Sequence, residues 1–152
     1  KDDTSPVKVE VDAEQQHPDA CGTFRKITFT YADGCKIILD GEAKEPNTPY
    51  IEGPNGKLFN GFKSTIPNLK EKLALMPDPA PQVTDFLESV KYRKTFALNE
   101  SNGFRSCTII NMGKIALQLG RTLEFDPVKQ EFINDAEANS MINPALRYPW
   151  TF

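Results

Sequence analysis

The chain has 152 residues, with 18 Lys and Arg against 21 Asp and Glu, and the formal charge of −3 excludes a nucleic-acid binder that works by bulk positive charge. Charged residues make up 26% and glycine and proline number 9 and 12, which excludes a disordered or low-complexity chain. No apolar run approaches the roughly 18 residues that a membrane span needs, so one globular domain over 1–152, with neither nucleic acid nor membrane as partner, is the expectation.

Val7, Val9 and Val11 alternate with Lys8 and Glu10, the two-residue period of a half-buried strand. After a loop from Asp12 to Gly22 the alternation returns between Phe24 and Tyr31, and Ala32-Asp33-Gly34 then leads into Lys36 to Leu39. Asp-Gly between two such runs predicts a hairpin. Ile37-Ile38-Leu39 is apolar on both faces and reads as an interior strand covered on each side. Gly53-Pro54-Asn55-Gly56 separates Tyr50-Ile51-Glu52 from Lys57-Leu58-Phe59, a second antiparallel pair, while Asn68 to Lys72 reads as a charged, solvated turn.

The period then changes. Val83, Phe86, Leu87 and Val90 recur at helical spacing after Asp78-Pro79, predicting a helix over 79–92. A longer helix is expected over 101–119, with Cys107, Ile110, Ala116, Leu117 and Leu119 as its apolar surface, Gly113 as a point of close packing and Gly120 as its stop. Thr122 to Phe125 reads as a last strand and Asp135 to Ile142 as a short helix capped by Asn134 or Asp135, ahead of a proline-punctuated tail from Pro144 to Phe152. Strands first and helices later make an α+β domain, an open and mostly antiparallel sheet with helices packed on one face.

Recognisable chemistry is sparse. No Gly-x-Gly-x-x-Gly opens a helix and no Gly-Lys-Ser/Thr appears, so no dinucleotide site is expected within the chain. The single histidine, His17, precedes Cys21 by four residues. A metal there would need Cys35, Asp12 or Asp19 as further ligands, a loose spacing, and a His17–Cys21 nucleophile pair lacks an orienting group. No metal site and no catalytic residue are assigned. Cys21, Cys35 and Cys107 form an odd set best read as free thiols, which leaves the compartment open. A glycosidase pair among Asp40, Glu42, Glu45 and Glu52 depends on spatial separation that sequence does not give. Tyr148, Trp150 and Phe152 with Arg147 either stack on a sugar or pin the tail to its own domain.

From Gln82 onward the chain carries an ordered series: Asp85-Phe86-Leu87 with Arg93-Lys94, Gly103-Phe104-Arg105-Ser106, Leu119-Gly120-Arg121, Phe125-Asp126-Pro127, Glu137-Ala138-Asn139 and Arg147-Tyr148-Pro149-Trp150. In order and spacing these resemble the C-terminal region of bacterial Gfo/Idh/MocA-type (glucose-fructose oxidoreductase / inositol dehydrogenase-like) proteins, and the earlier hairpins are similar in pattern, so the likeness covers nearly the whole chain. The resemblance implies the sheet-containing C-terminal domain of a two-domain sugar or cyclitol oxidoreductase. Its partner would be an N-terminal Rossmann domain, missing here, that binds NAD or NADP; the chain itself would hold no cofactor. Lys44-Glu45-Pro46 is not the family's Glu-Lys-Pro, and Phe104 stands where relatives with this pattern often carry histidine. Lys1 in place of methionine fits a chain that begins after the catalytic helix.

The implied role is to wall a sugar or polyol pocket and to form homo-oligomers through the sheet face. His17, Arg105, Arg147, Tyr148 and Trp150 are the candidate substrate contacts. The alternative is a standalone carbohydrate-binding or assembly module without redox activity. A hydrolase ranks below both. The compartment is cytoplasmic or, if a leader precedes the chain, periplasmic.

Overall fold

The computed structural model describes residues 4–17, 22–42, 47–78, 82–143, 146 and 148–149. They gather into two compact units, one made of 1–42 with 95–152 and the other of 43–94.

The first unit is built on a five-stranded sheet. Its strands are β1 (Lys8–Asp12), β2 (Lys26–Thr30), β3 (Lys36–Asp40), β6 (Leu123–Asp126) and β7 (Glu131–Phe132), ordered β3-β2-β1-β6-β7. Every pairing is antiparallel. The register sets Val9 opposite Phe29 and Leu123, Val11 opposite Ile27, and Phe125 opposite Phe132, so one face collects the apolar side chains. Lys8, Glu10, Lys26, Thr28 and Lys36 occupy the other. The Asp33-Gly34 hairpin forms as the sequence predicts, with Gly34 at φ +83° where a side chain would be strained.

Against the apolar face packs α3 (Glu100–Leu119). Its start is fixed by Asn99, whose side-chain oxygen accepts from the Asn102 N–H at 3.0 Å, and its end by Gly120 at φ +62°. Both ends match the sequence reading, but the buried surface does not. Met112, Gly113, Ile115, Ala116 and Leu117 are buried, whereas Cys107 is exposed and Ile110 is 67% exposed. Only the C-terminal half of the helix lies on the sheet. Gly113 is there because a Cβ in its place would come 3.0 Å from the Phe29 ring, the close packing the sequence anticipates.

Helix α4 (Ala136–Ser140) is capped by Asp135, whose carboxylate accepts from the Ala138 N–H at 3.0 Å. Asn139 then clamps β7: its oxygen accepts from the Phe132 N–H at 2.7 Å and its amide donates to the Phe132 carbonyl at 2.8 Å. One side chain thus substitutes for a neighbouring strand. It holds Phe132 edge-to-face on Phe125, with ring centroids 5.3 Å apart. The outcome is an α+β fold, an open antiparallel sheet with α3 and α4 on one face. Strand β7, only two residues long, escapes the sequence reading.

The interior position expected for β3 is wrong. β3 ends the sheet order, all five of its residues are exposed, and Ile37, Ile38 and Leu39 stand at 37%, 51% and 44%. Its apolar run lies beyond the reach of α3, whose contacts centre on β1.

The second unit contains a hairpin of β4 (Ile51–Gly53) and β5 (Gly56–Leu58), as expected, followed by α1 (Leu69–Ala74) and α2 (Phe86–Tyr92). α1 corrects the reading of Asn68 to Lys72 as a turn; six residues are too few for a periodic signal, and none is buried. α2 begins later than position 79. Asp85 is the cap, accepting from the Glu88 N–H at 2.8 Å, and residues 79–81 lie outside the described set.

Candidate functional site

The exposed N-terminal half of α3 carries Gly103-Phe104-Arg105-Ser106, the part of the long helix that the sheet leaves uncovered. The turn ahead of it is held tightly: Asn99 donates to the Phe96 carbonyl at 2.9 Å and Asn102 to the Ala97 carbonyl at 2.7 Å. Phe104 is half exposed and Arg105 half-buried. A phenyl ring can stack on an apolar face but carries no proton to transfer. Arg105 makes no ion pair among the described residues, so its guanidinium is available to an oxyanion or hydroxyl rather than spent on a core carboxylate.

The remaining predicted contacts are dispersed. His17 is exposed in the loop after β1. Tyr148 is 92% exposed, which answers for this residue the question of tail packing: its ring pins nothing. Arg147 and Trp150, like Cys21, Asp19 and Glu45, lie outside the described residues. His17, Arg105 and Tyr148 thus sit on three separate segments of the first unit. Among the described residues no group of three His, Cys, Asp or Glu could hold a metal ion. Of the hydrolase carboxylates, Glu52 is paired with Lys57 at 2.9 Å, a neighbour across the hairpin.

The motifs that carry the resemblance prove mostly architectural. Arg121, just past the end of α3, reaches both Asp135, one of whose oxygens it meets at 3.0 Å, and Glu137 at 2.9 Å, tying the end of one helix to the start of another. Arg121 and the Ala138 N–H together hold the Asp135 carboxyl down at about 2. Asp126 accepts from the Val128 and Lys129 N–H groups at 2.8 and 3.0 Å, which fixes the Asp-Pro turn and lowers its own pKa. Ala138 is completely buried.

Two concavities among the described residues bear on the site. One, about 170 Å³, is lined by Glu14, Thr23, Phe24, Arg25, Gly41 and Glu42 beside the His17 loop. Arg25 is already engaged there, its Nε donating to Asp12 at 2.8 Å, and it lowers the Asp12 carboxyl. The other, about 630 Å³, belongs to the second unit and is lined by Asn47, Phe59, Asn60, Gly61 and Lys63. It sits at a reversal after β5: the Phe59 N–H donates to the Lys63 carbonyl at 2.8 Å, and Gly61 and Phe62 have φ of +72° and +59°. For Phe62, 72% exposed, that backbone costs on the order of 1–3 kcal/mol with no burial to offset it. Sequence reasoning missed this site. The only available signal was Asn60-Gly61, a turn dipeptide that follows a strand without a second clear strand after it.

A dinucleotide does not fit the described residues. Every strand pairing is antiparallel, so there is no β-α-β crossover whose helix N-terminus could receive a pyrophosphate, and Gly53 and Gly56 belong to a hairpin.

The described residues form an open antiparallel sheet backed by helices, with motif residues at the helix ends, an α+β architecture. The family model described as "Oxidoreductase family, C-terminal alpha/beta domain" (Gfo/Idh/MocA) matches residues 1–152. The chain belongs to that family. No curated protein and no solved structure matches it.

Proposed function

We propose that the chain is the substrate-pocket and oligomerisation domain of an NAD(P)-dependent sugar or cyclitol oxidoreductase, and that by itself it is catalytically incomplete. The observation that carries this reading is the family match over 1–152, and the all-antiparallel pairing among the described residues supports placing the cofactor in a separate domain. Hydride transfer between a carbinol carbon and nicotinamide would belong to a Rossmann domain joined to this one. Arg105 and Tyr148 supply this chain's side, a cation and an exposed phenol able to orient hydroxyl groups, with His17, Arg147 and Trp150 as further candidates. No proton-transfer step is assigned to Phe104.

Association is assigned to the outer sheet face. Its mixture of Lys8, Glu10, Lys26, Thr28 and Lys36 around the half-exposed Ile38 suits a partly polar contact between copies.

Two measurements test the reading. The coding sequence upstream of Lys1 should encode, in frame, a strand, a Gly-x-Gly-x-x-Gly turn and a Glu-Lys-Pro element; a start codon or short leader there would sink it. The isolated chain should not reduce NAD or NADP with any of a panel of polyols, and turnover by it would overturn the division of roles. Sedimentation of the chain and of Ile38→Lys then reports on the sheet face: a shift toward monomer is expected, and an unchanged distribution removes that surface from the proposal.

A further inference from the structure

The cavity after β5 has no part in the proposed function, and the described residues of its lining are chemically coherent. At about 630 Å³ it falls within the roughly 300–1,000 Å³ of small-molecule sites. Phe59, half-buried, provides a flat apolar surface. Asn47 and Asn60 each offer a carbonyl acceptor and a two-proton donor, the combination that suits hydroxyl groups, which also both donate and accept. Among the described residues of the lining Lys63 is the one ionisable side chain, and it makes no ion pair among the described residues. An apolar ligand would leave two carboxamides and an ammonium unpaired. Among the described lining residues a phosphate ester would face a single lysine and no arginine. A ring bearing neighbouring hydroxyls and one carboxylate meets each of these described groups.

We propose that this cavity binds a sugar acid, with the carboxylate on Lys63, the hydroxyls on Asn47 and Asn60, and one ring face on Phe59. The left-handed backbone at Gly61 and Phe62 shapes the reversal that brings Asn60 and Lys63 to the same cavity. Residue 61 is open on its Cβ side, with nothing within 4 Å, so glycine serves the backbone angle there and not a close contact.

The test is an amide NMR titration of the 152-residue chain with D-glucuronate, D-glucose and acetate. Glucuronate is expected to shift the Asn60, Gly61 and Lys63 amides saturably, glucose to do so at least about tenfold more weakly, and acetate not at all. Lys63→Met should weaken glucuronate about tenfold. Asn60→Asp, which keeps the shape and adds a like charge, should abolish binding, and both variants replace exposed side chains. No saturable shift, equal shifts with acetate, equal affinity for glucose, or a Lys63→Met chain that binds as well as the parent would each overturn the proposal. Binding is read without nicotinamide and without turnover, so its failure leaves the oxidoreductase reading untouched, and failure of that reading leaves this one standing.

Discussion

The two units differ in what holds them. In the first, Val9, Ile27, Phe29, Met112, Ile115, Leu123, Phe125 and Phe132 are each at most 4% exposed and form one cluster between the sheet and α3. In the second, the one buried described side chain is Ser89, while Phe62, Leu75, Met76, Phe86 and Leu87 are all more than 60% exposed. The first is held by apolar burial, at about 1.5–3 kcal/mol for each large side chain removed from water. The second rests on local hydrogen bonds: the β4–β5 ladder, the Asp85 cap, and the Thr65 hydroxyl accepting from the Lys57 N–H at 2.9 Å. Each of those contributes only about 0.5–1.5 kcal/mol net. A strained loop and an open cavity are therefore found where packing constrains the chain least.

The sharpest way to break this contrast is a matched pair of truncations. Phe29→Ala should cost about 3–5 kcal/mol in urea denaturation, because it empties the centre of the packed unit. Leu75→Ala, at an 86% exposed position, should change stability by less than about 0.5 kcal/mol. Comparable losses from the two would mean that the second unit is packed after all.

Gly113→Ala sets two effects against each other. Alanine gains about 1 kcal/mol of helix propensity, but its methyl would press on a ring that is 1% exposed and cannot withdraw, and such overpacking costs about 1–3 kcal/mol. A net loss of about 1 kcal/mol is expected; a gain would show that the Phe29 ring has room to move.

The smallest effect is electrostatic. Asp135 titrates at about 2, below the ordinary carboxylate value of about 3.9, so its contribution is complete above about pH 4 and is lost as pH falls toward 2. Asp135→Asn keeps the helix cap and removes the charge facing Arg121. Its melting temperature should lie below that of the parent at pH 7, and the gap should close near pH 2. A gap independent of pH would assign the effect to the cap.

Legibility in the sequence followed the same division. Alternation around Val9 and Phe29, the Asp33-Gly34 turn, and Gly120 at the end of α3 were readable because each is a local rule the core then enforces. β3 was misread because Ile37-Ile38-Leu39 has the pattern of a covered strand, and pattern does not say where a sheet stops. Ile110 was misassigned because it has helical spacing, yet it lies on the half of α3 that outruns the sheet. β7 was invisible because its pairing on one side comes from the Asn139 side chain, seven residues away. Of the candidate site, Arg105 was readable only through resemblance, and the cavity lined by Asn47, Asn60 and Lys63 not at all. Asn47 lies 13 positions before Asn60 and 16 before Lys63, and the hairpin between them makes them neighbours.

The packed unit is also discontinuous along the chain. β1, β2 and β3 leave the ribosome before the rest of this unit, but Lys8 of β1 pairs with Glu124 of β6, and the helix that covers the sheet begins at Glu100. Between the two halves lies the whole of 43–94, which takes roughly 3 to 10 s to synthesise at about 5–20 residues per second. For that interval a finished three-stranded meander shows Val9, Ile27 and Phe29 to its surroundings with no cover, so the nascent chain's exposure to chaperones and to wrong partners is set by the length of a segment that contributes nothing to the core.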